Sequence, residues 1–159
     1  IQNAPMTLAK DFEDFIRLLN YHQVEYMIVG GYALGFHGAP RYTGDIDIWI
    51  NISDQNADKM LRVIIEFGFA ALGFERTDFL KPGYITQIGQ PPLRIDILNS
   101  IDGVSFEEAV KNKQIIDIDG LAVAYVGLRD FIKNKEATDR LKDRSDIEEI
   151  KKISGRGDL

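Results

Sequence analysis

The sequence of 159 residues contains no cysteine and only two histidines, His22 and His37. Disulfide bonds and thiolate metal sites are therefore excluded, and two histidines are too few for a zinc site built on imidazole. Any bound metal must be held by oxygen ligands. No apolar run approaches the roughly 20 residues that a membrane-spanning helix needs. We therefore expect a protein that does not span the membrane, and the lack of cysteine and of a signal peptide is compatible with the cytoplasm.

Positive charge is also scarce, with 19 Lys and Arg residues against 25 Asp and Glu residues and a net charge of −6. Non-specific binding of nucleic acid depends on many Lys and Arg side chains that neutralise phosphates, so a nucleic-acid partner is not favoured, although a local basic groove stays open. The length and the ordinary composition predict a single domain over residues 1–159, with flexible ends at 1–6 and 154–159.

Periodic patterns of apolar residues predict an alternation of helices and strands. Helical spacing predicts helices at about 8–19, 32–37, 57–67, 106–109, 128–135 and 142–153. Alternation of apolar and polar residues predicts strands at about 25–29, 45–50, 93–98, 115–118 and 121–126, and residues 69–92 form a hairpin-like region. The mixture predicts an α/β fold in which helices flank a small mixed β-sheet.

Two carboxylates stand two residues apart in the predicted strand 45–50. Asp45 and Asp47 therefore point to one face of the strand, whereas Ile46 and Ile48 point to the core. Two like charges held so close together require a cation. Magnesium is bound by carboxylate oxygens, water and substrate phosphates, and two such ions can stabilise both oxygens of an in-line phosphoryl displacement.

A third acid, Asp96, lies among the apolar residues of the predicted strand 93–98. An unpaired carboxylate is costly in such a position, so a metal or a partner must compensate its charge. A metal shared with the other two aspartates is one solution. Arg94, on the same face of the strand, is the alternative partner.

Gly30 and Gly31 follow the first predicted strand. Glycines between a strand and a helix allow backbone N–H groups to approach a phosphate closely, and the start of the helix favours negative charge. A tight turn without any ligand explains the pair of glycines about equally well.

The stretch VGGYALGFHGAPRYTGDIDIWI (29–50), together with RIDIL (94–98), resembles the nucleotidyltransferase superfamily that includes DNA polymerase β. It is most similar to small stand-alone bacterial members, some of which act as toxins or antitoxins or in abortive phage infection. The stretch LRDFIKNKEATDRLKDRSDIEEI (128–150) is similar to the C-terminal helices of such proteins. The resemblance covers about 24–150 and implies the nucleotidyltransferase fold with C-terminal helices.

This resemblance implies transfer of a nucleotidyl group from a nucleoside triphosphate, such as ATP, to an acceptor hydroxyl, with release of pyrophosphate. Asp45 and Asp47 would bind two Mg²⁺ ions, or Mn²⁺ in their place. Asp96 would help to bind the metal that activates the acceptor hydroxyl. Gly30 and Gly31 would hold the β- and γ-phosphates.

Further residues are candidates to contact the triphosphate. Arg41 and Thr43 lie in the loop before the paired aspartates, and Lys135 and Arg140 are the preferred cations of the C-terminal pattern. Stabilisation of a transferred phosphate requires positive charge of this kind. Asp143 and Asp146 would either orient these cations or pair with Arg140 and Lys142 at helical spacing.

Three questions stay open at this point. Trp49 shares the face of the aspartates, where it could stack on a base or, more commonly for a strand aromatic, pack half-buried. The acceptor is unknown, and the lack of a separate basic module favours a protein or a small molecule over a nucleic acid. The alternative to an enzyme is a partner-binding protein, an antitoxin or a subunit of a defence module, that retains the fold.

Overall fold

The computed structural model describes residues 8–39, 44–138 and 140–154. Its strands are β1 (Tyr26–Val29), β2 (Asp45–Ile50), β3 (Ile85–Ile88), β4 (Arg94–Leu98), β5 (Gln114–Ile118) and β6 (Leu121–Tyr125). Its helices are α1 (Lys10–Tyr21), α2 (Gly30–Phe36), α3 (Asp54–Phe67), α4 (Phe106–Ala109), α5 (Leu128–Thr138) and α6 (Leu141–Ser154). The predicted α/β class with a mixed sheet is confirmed.

The strands of the described residues form one six-stranded sheet in the order β3-β4-β2-β1-β6-β5. The pairs β2–β4 and β1–β6 are parallel, whereas the central pair β1–β2 and the outer pairs β3–β4 and β5–β6 are antiparallel. The parallel pairing of β2 with β4 matters most for the site, because it brings together two segments that are about 49 residues apart in the sequence. The predicted hairpin near the C-terminal helices is β5–β6.

The helices begin and end where local chemistry predicts. Ser53 caps α3, since its hydroxyl oxygen accepts a hydrogen bond of 3.0 Å from the backbone N–H of Asn56. Gly68 ends the same helix with a φ of 103°, a left-handed conformation that glycine adopts at little cost. On α1, the apolar side chains Phe12, Phe15 and Leu19 are buried against the core. These two amphipathic helices pack against each other.

The structure refines the prediction at two places. The hairpin-like region contains 3₁₀ turns at Ala70–Leu72 and Arg76–Phe79 before β3 pairs with β4. Helix α6 extends to Ser154, one residue into the predicted flexible end, and the other residues predicted as flexible, 1–6 and 155–159, lie outside the described residues. No helix in the described part of the chain is both long enough and apolar enough to cross a membrane.

Candidate active site

Three aspartates meet on two neighbouring parallel strands. In the register of β2 with β4, Asp47 lies opposite Asp96, and Asp45 lies opposite Arg94. One carboxylate oxygen from each of the three aspartates lies within 4.8 Å of the other two. Asp96 is buried, and the other two aspartates are half-buried. A compact set of carboxylate oxygens fits the ligand chemistry of Mg²⁺ or Mn²⁺. The fold therefore places Asp96 beside the pair of aspartates that alternation in the sequence predicts.

The aspartates affect one another electrostatically. Burial, followed by the negative charges of Asp45 and Asp96, raises the pKa of Asp47 from 3.8 to about 7. The positive charges of Lys135 and Arg94 act in the opposite direction but do not offset this effect. Because a neighbouring cation favours the ionised carboxylate, a bound divalent ion would oppose the shift.

Arg94 is a residue of the site whose full role the sequence did not reveal. Its Nε donates a hydrogen bond of 2.8 Å to Oδ1 of Asp96, and its Nη2 donates one of 2.8 Å to Oδ2 of the same carboxylate. Nη2 also donates to Oδ2 of Asp45 at 3.1 Å. The guanidinium group is therefore a protein cation bound to two of the three candidate metal ligands. The alternative partner proposed for Asp96 from the sequence is confirmed.

Gly30 makes room for the central aspartate. Val29, the last residue of β1, lies opposite Asp47 on β2, and the chain then turns into α2 with a φ of 70° at Gly30. A Cβ atom on Gly30 would lie only 2.1 Å from Oδ2 of Asp47, a distance that no side chain tolerates. Both the backbone conformation and the lack of a side chain are thus required for this placement of the carboxylate.

Lys135 belongs to a buried ionic cluster between α5 and α6. Its Nζ lies 3.2 Å from Oδ1 of Asp143 and 3.8 Å from Oδ2 of Asp146, and all three residues are buried. Arg140 Nε donates a hydrogen bond of 2.7 Å to Oδ2 of Asp143, and the Thr138 hydroxyl donates to the same oxygen. Burial opposes ionisation of Asp143, but the hydrogen bonds from Arg140, Thr138 and Lys135 outweigh it and lower the pKa of this carboxyl.

The two predicted C-terminal cations therefore differ in their surroundings. Lys135 is buried between carboxylates, and its charge reaches Asp47. The side chain of Arg140 is 66% exposed, although it is paired with Asp143. Asp143 and Asp146 both lie beside Lys135, as expected if they orient the predicted cations. Asp143 also pairs with Arg140, the partner expected at helical spacing.

The remaining residues singled out in the sequence do not all fall within the described part of the chain. Arg41 and Thr43 fall outside the described residues. Trp49 is only 1% exposed and packs edge-to-face on Phe106 at 5.1 Å between ring centroids, so the hypothesis that it stacks on a base is wrong for this arrangement. His37 follows α2 as its C-cap residue, and its Nε2 lies 2.9 Å from the carbonyl oxygen of Val126, so its imidazole contacts the backbone of the fold.

Comparison with known proteins agrees with this fold. Residues 9–159 match the family described as "Nucleotidyl transferase of unknown function (DUF2204)". No curated protein sequence matches the chain at a significant level.

Two solved structures share the architecture. A proposed nucleotidyltransferase from Thermotoga maritima superposes with a TM-score of 0.58 at 14% identity, over 91% of this chain and 90% of that one. An antigenic nucleotidyltransferase-like protein from Paracoccidioides brasiliensis superposes with a TM-score of 0.55 at 15% identity, over 92% of this chain and 77% of that one. At such identities the superpositions establish a common fold.

Proposed function

This chain belongs to the family of nucleotidyl transferases of unknown function (DUF2204), and from that premise we propose that it is a Mg²⁺-dependent nucleotidyltransferase. It would transfer a nucleoside monophosphate from a nucleoside triphosphate to an acceptor hydroxyl and release pyrophosphate. The observation that carries this proposal is the cluster of Asp45, Asp47 and Asp96, with three carboxylate oxygens within 4.8 Å of one another.

The three aspartates are the residues that would hold the metal ions. Bound Mg²⁺, two ions in the proposed reaction and replaceable by Mn²⁺, would neutralise the phosphates and lower the pKa of the acceptor hydroxyl. The acceptor oxygen forms a new bond to the α-phosphorus, and the bond from that phosphorus to the bridging oxygen of pyrophosphate breaks. Asp96 accepts the hydroxyl proton and passes it to solvent, in an orientation set by the two hydrogen bonds from Arg94.

The remaining groups act on the triphosphate. The turn at Gly30 and Gly31 lies directly beside Asp47, so its backbone N–H groups are the candidates to bind the β- and γ-phosphates. Lys135 contributes positive charge from its buried position, and Arg140 is exposed enough to reach a phosphate. Arg41 and Thr43 remain predicted phosphate contacts of the preceding loop. Positive charge placed around the transferred phosphate is the main source of catalysis in such reactions.

The proposal also concerns the class of acceptor and the biological role of the protein. The net charge of −6 favours a protein or small-molecule acceptor over nucleic acid, in a single-domain protein of the cytoplasm. A role as toxin, antitoxin or abortive-infection protein stays a prediction of the sequence resemblance. If the chain acts on a partner by contact alone, Asp45→Ala and Asp47→Ala will preserve the effect on that partner, whereas catalysis requires both carboxylates.

Transfer is tested with two differently labelled triphosphates. The protein, Mg²⁺ and candidate acceptors are incubated with each nucleoside triphosphate labelled either in the α-phosphate or in the γ-phosphate. The proposal predicts that the α-label becomes attached to an acceptor and that the γ-label appears in pyrophosphate. Both signals should disappear in Asp45→Asn/Asp47→Asn. Release of the γ-label as inorganic phosphate, without transfer of the α-label, would identify a hydrolase instead.

A further inference from the structure

Strand β5 forms an outer edge of the sheet and is unusually exposed. It pairs with β6 on one side only, and no other strand of the described residues adjoins it. Its residues Gln114 to Asp117 are exposed, with Ile115 at 62% and Ile116 at 37%. Edge strands are normally protected by proline, bulges or inward-pointing charges, because their free N–H and C=O groups can pair with another chain. β5 contains neither a proline nor a bulge, and Asp117 is the charged side chain among its four exposed residues.

The charges around Ile115 make this edge complementary to itself. Lys113 directly precedes β5 with an extended backbone, two residues before Ile115, and Asp117 lies two residues after it, so the alternation of an extended chain places the three side chains on one face. Within the described residues, no ion pair joins either Lys113 or Asp117 to another side chain, and Asp117 accepts one hydrogen bond of 3.2 Å from the backbone N–H of Gly120. Positive charge at one end and negative charge at the other is the pattern that an antiparallel copy would match.

We propose that the outer edge of β5 binds β5 of a second copy of this chain, antiparallel and centred on Ile115. In this register Ile115 lies opposite its own symmetry mate, and each Lys113 lies opposite Asp117 of the other copy. A two-fold symmetric interface requires this kind of self-complementary surface.

The two sheets would join into one continuous sheet across the dimer. The site aspartates lie on β2 and β4, and β1 and β6 separate these strands from β5. Each copy therefore keeps its own site clear of the interface. The inference rests on the edge strand alone and holds whether or not the chain transfers nucleotides.

Sedimentation equilibrium of the full chain at about 0.15 M salt tests the proposal, with Lys113→Glu and Asp117→Lys as variants. The wild type should be a dimer. Each single variant places two pairs of like charges across the interface and should weaken dimerisation at least about tenfold. An equimolar mixture of the two variants restores opposite charges at both pairs, so it should form the mixed dimer with close to wild-type affinity.

Controls separate this effect from net charge and from misfolding. Arg62→Glu, at an exposed position of α3, changes the net charge by the same amount as Lys113→Glu and should leave the dimer intact. Circular dichroism checks that each variant is folded, and Ile115→Lys provides a second variant that places two ammonium groups opposite each other. A monomeric wild type would overturn the proposal. So would a dimer that these substitutions do not weaken, or a mixture that fails to associate from folded variants.

Discussion

Arg94 connects Asp96 to Asp45 across two neighbouring strands, with hydrogen bonds of 2.8 Å to the first carboxylate and 3.1 Å to the second. The guanidinium group supplies positive charge to a cluster of three carboxylates that would otherwise repel one another. It also uses oxygen atoms that a metal ion would bind. Arg94 and the metal are therefore expected to stabilise the same carboxylates in partial competition.

Arg94→Met should make the protein depend more strongly on metal. Without metal the variant loses positive charge at the cluster and should unfold at a lower temperature than the wild type. With Mg²⁺ its Tm should rise by about 3 °C more than that of the wild type, because the ion replaces the missing cation without competition. Thermal unfolding with and without Mg²⁺ measures both effects.

Arg76→Met is the matched control for this experiment. Arg76 binds Asp58 through Nε at 2.9 Å, with the same kind of arginine–carboxylate contact, but that carboxylate is exposed and is not one of the clustered aspartates. Its substitution should not alter the response to Mg²⁺. Equal responses in the two variants would show that Arg94 and the metal do not share ligands.

Gly30→Ala should disrupt the site through Asp47. The new methyl group would lie 2.1 Å from Oδ2 of Asp47, so the carboxylate or the turn must move. Displacement of a metal ligand should weaken Mg²⁺ binding by roughly 10- to 100-fold. Isothermal titration with Mg²⁺ measures this loss.

Gly68→Ala controls for the backbone cost of such a substitution. Gly68 also has a positive φ, 103°, but a Cβ atom there would meet no atom within 4 Å. This variant should bear the backbone cost alone and keep its affinity for Mg²⁺. If both variants bind Mg²⁺ like the wild type, the close approach of Gly30 to Asp47 has no bearing on the metal site.

The raised pKa of Asp47 predicts a pH-dependent stability in the absence of metal. The folded state raises this pKa from 3.8 to about 7, so the neutral carboxyl stabilises the fold at low pH, and this contribution is lost as the pH rises through 7. Asp47→Asn stays neutral throughout. Between pH 5 and pH 8, the free energy of unfolding of the wild type should therefore fall by more than ~1 kcal/mol relative to the variant, since one pKa unit is worth about that much.

Urea unfolding in the presence of a chelator measures this difference. Saturating Mg²⁺ at pH 8 should instead stabilise the wild type relative to Asp47→Asn, because the ion binds the carboxylate that the variant lacks. A parallel pH dependence of the two proteins would contradict a raised pKa at Asp47.

Lys135→Met should affect both stability and the pH dependence of the site. The substitution removes a buried counter-charge from Asp143 and Asp146, and breaking such a buried pair costs about 3 kcal/mol. It also removes a charge that lowers the pKa of Asp47, so Mg²⁺ binding should require a higher pH. Lys133→Met, at an exposed position of the same helix, should change neither quantity. A Mg²⁺ pH profile unchanged by Lys135→Met would show that this charge does not reach the aspartates.

Local patterns in the sequence predict most of the secondary structure and the acidic face of the site. Alternation places Asp45 and Asp47 on one face of β2, and the observed strand begins and ends within the predicted range. The region 69–92 was predicted less well, because its 3₁₀ turns and the four-residue β3 are too short to produce a periodic pattern.

Relationships between distant segments were beyond local patterns. The contact of Arg94 with Asp45 depends on the parallel register of β2 and β4, which no local spacing encodes. The pairing of Lys135 with Asp143 depends on the angle between α5 and α6, so the sequence predicts a cation there but not its burial. Trp49 follows the alternation, but α4 covers it through Phe106, a contact between residues 57 positions apart.

Metal-dependent binding of a nucleoside triphosphate is the direct test of a nucleotidyltransferase site at the three aspartates. Each of the four ribonucleoside triphosphates is titrated into the protein with Mg²⁺ and again with a chelator, for the wild type and for Asp45→Asn/Asp47→Asn. We expect at least one triphosphate to bind the wild type only with Mg²⁺ and not to bind the folded double variant. Absence of binding by the folded wild type, or binding that survives without metal and in the double variant, would contradict a nucleotidyltransferase site at these aspartates.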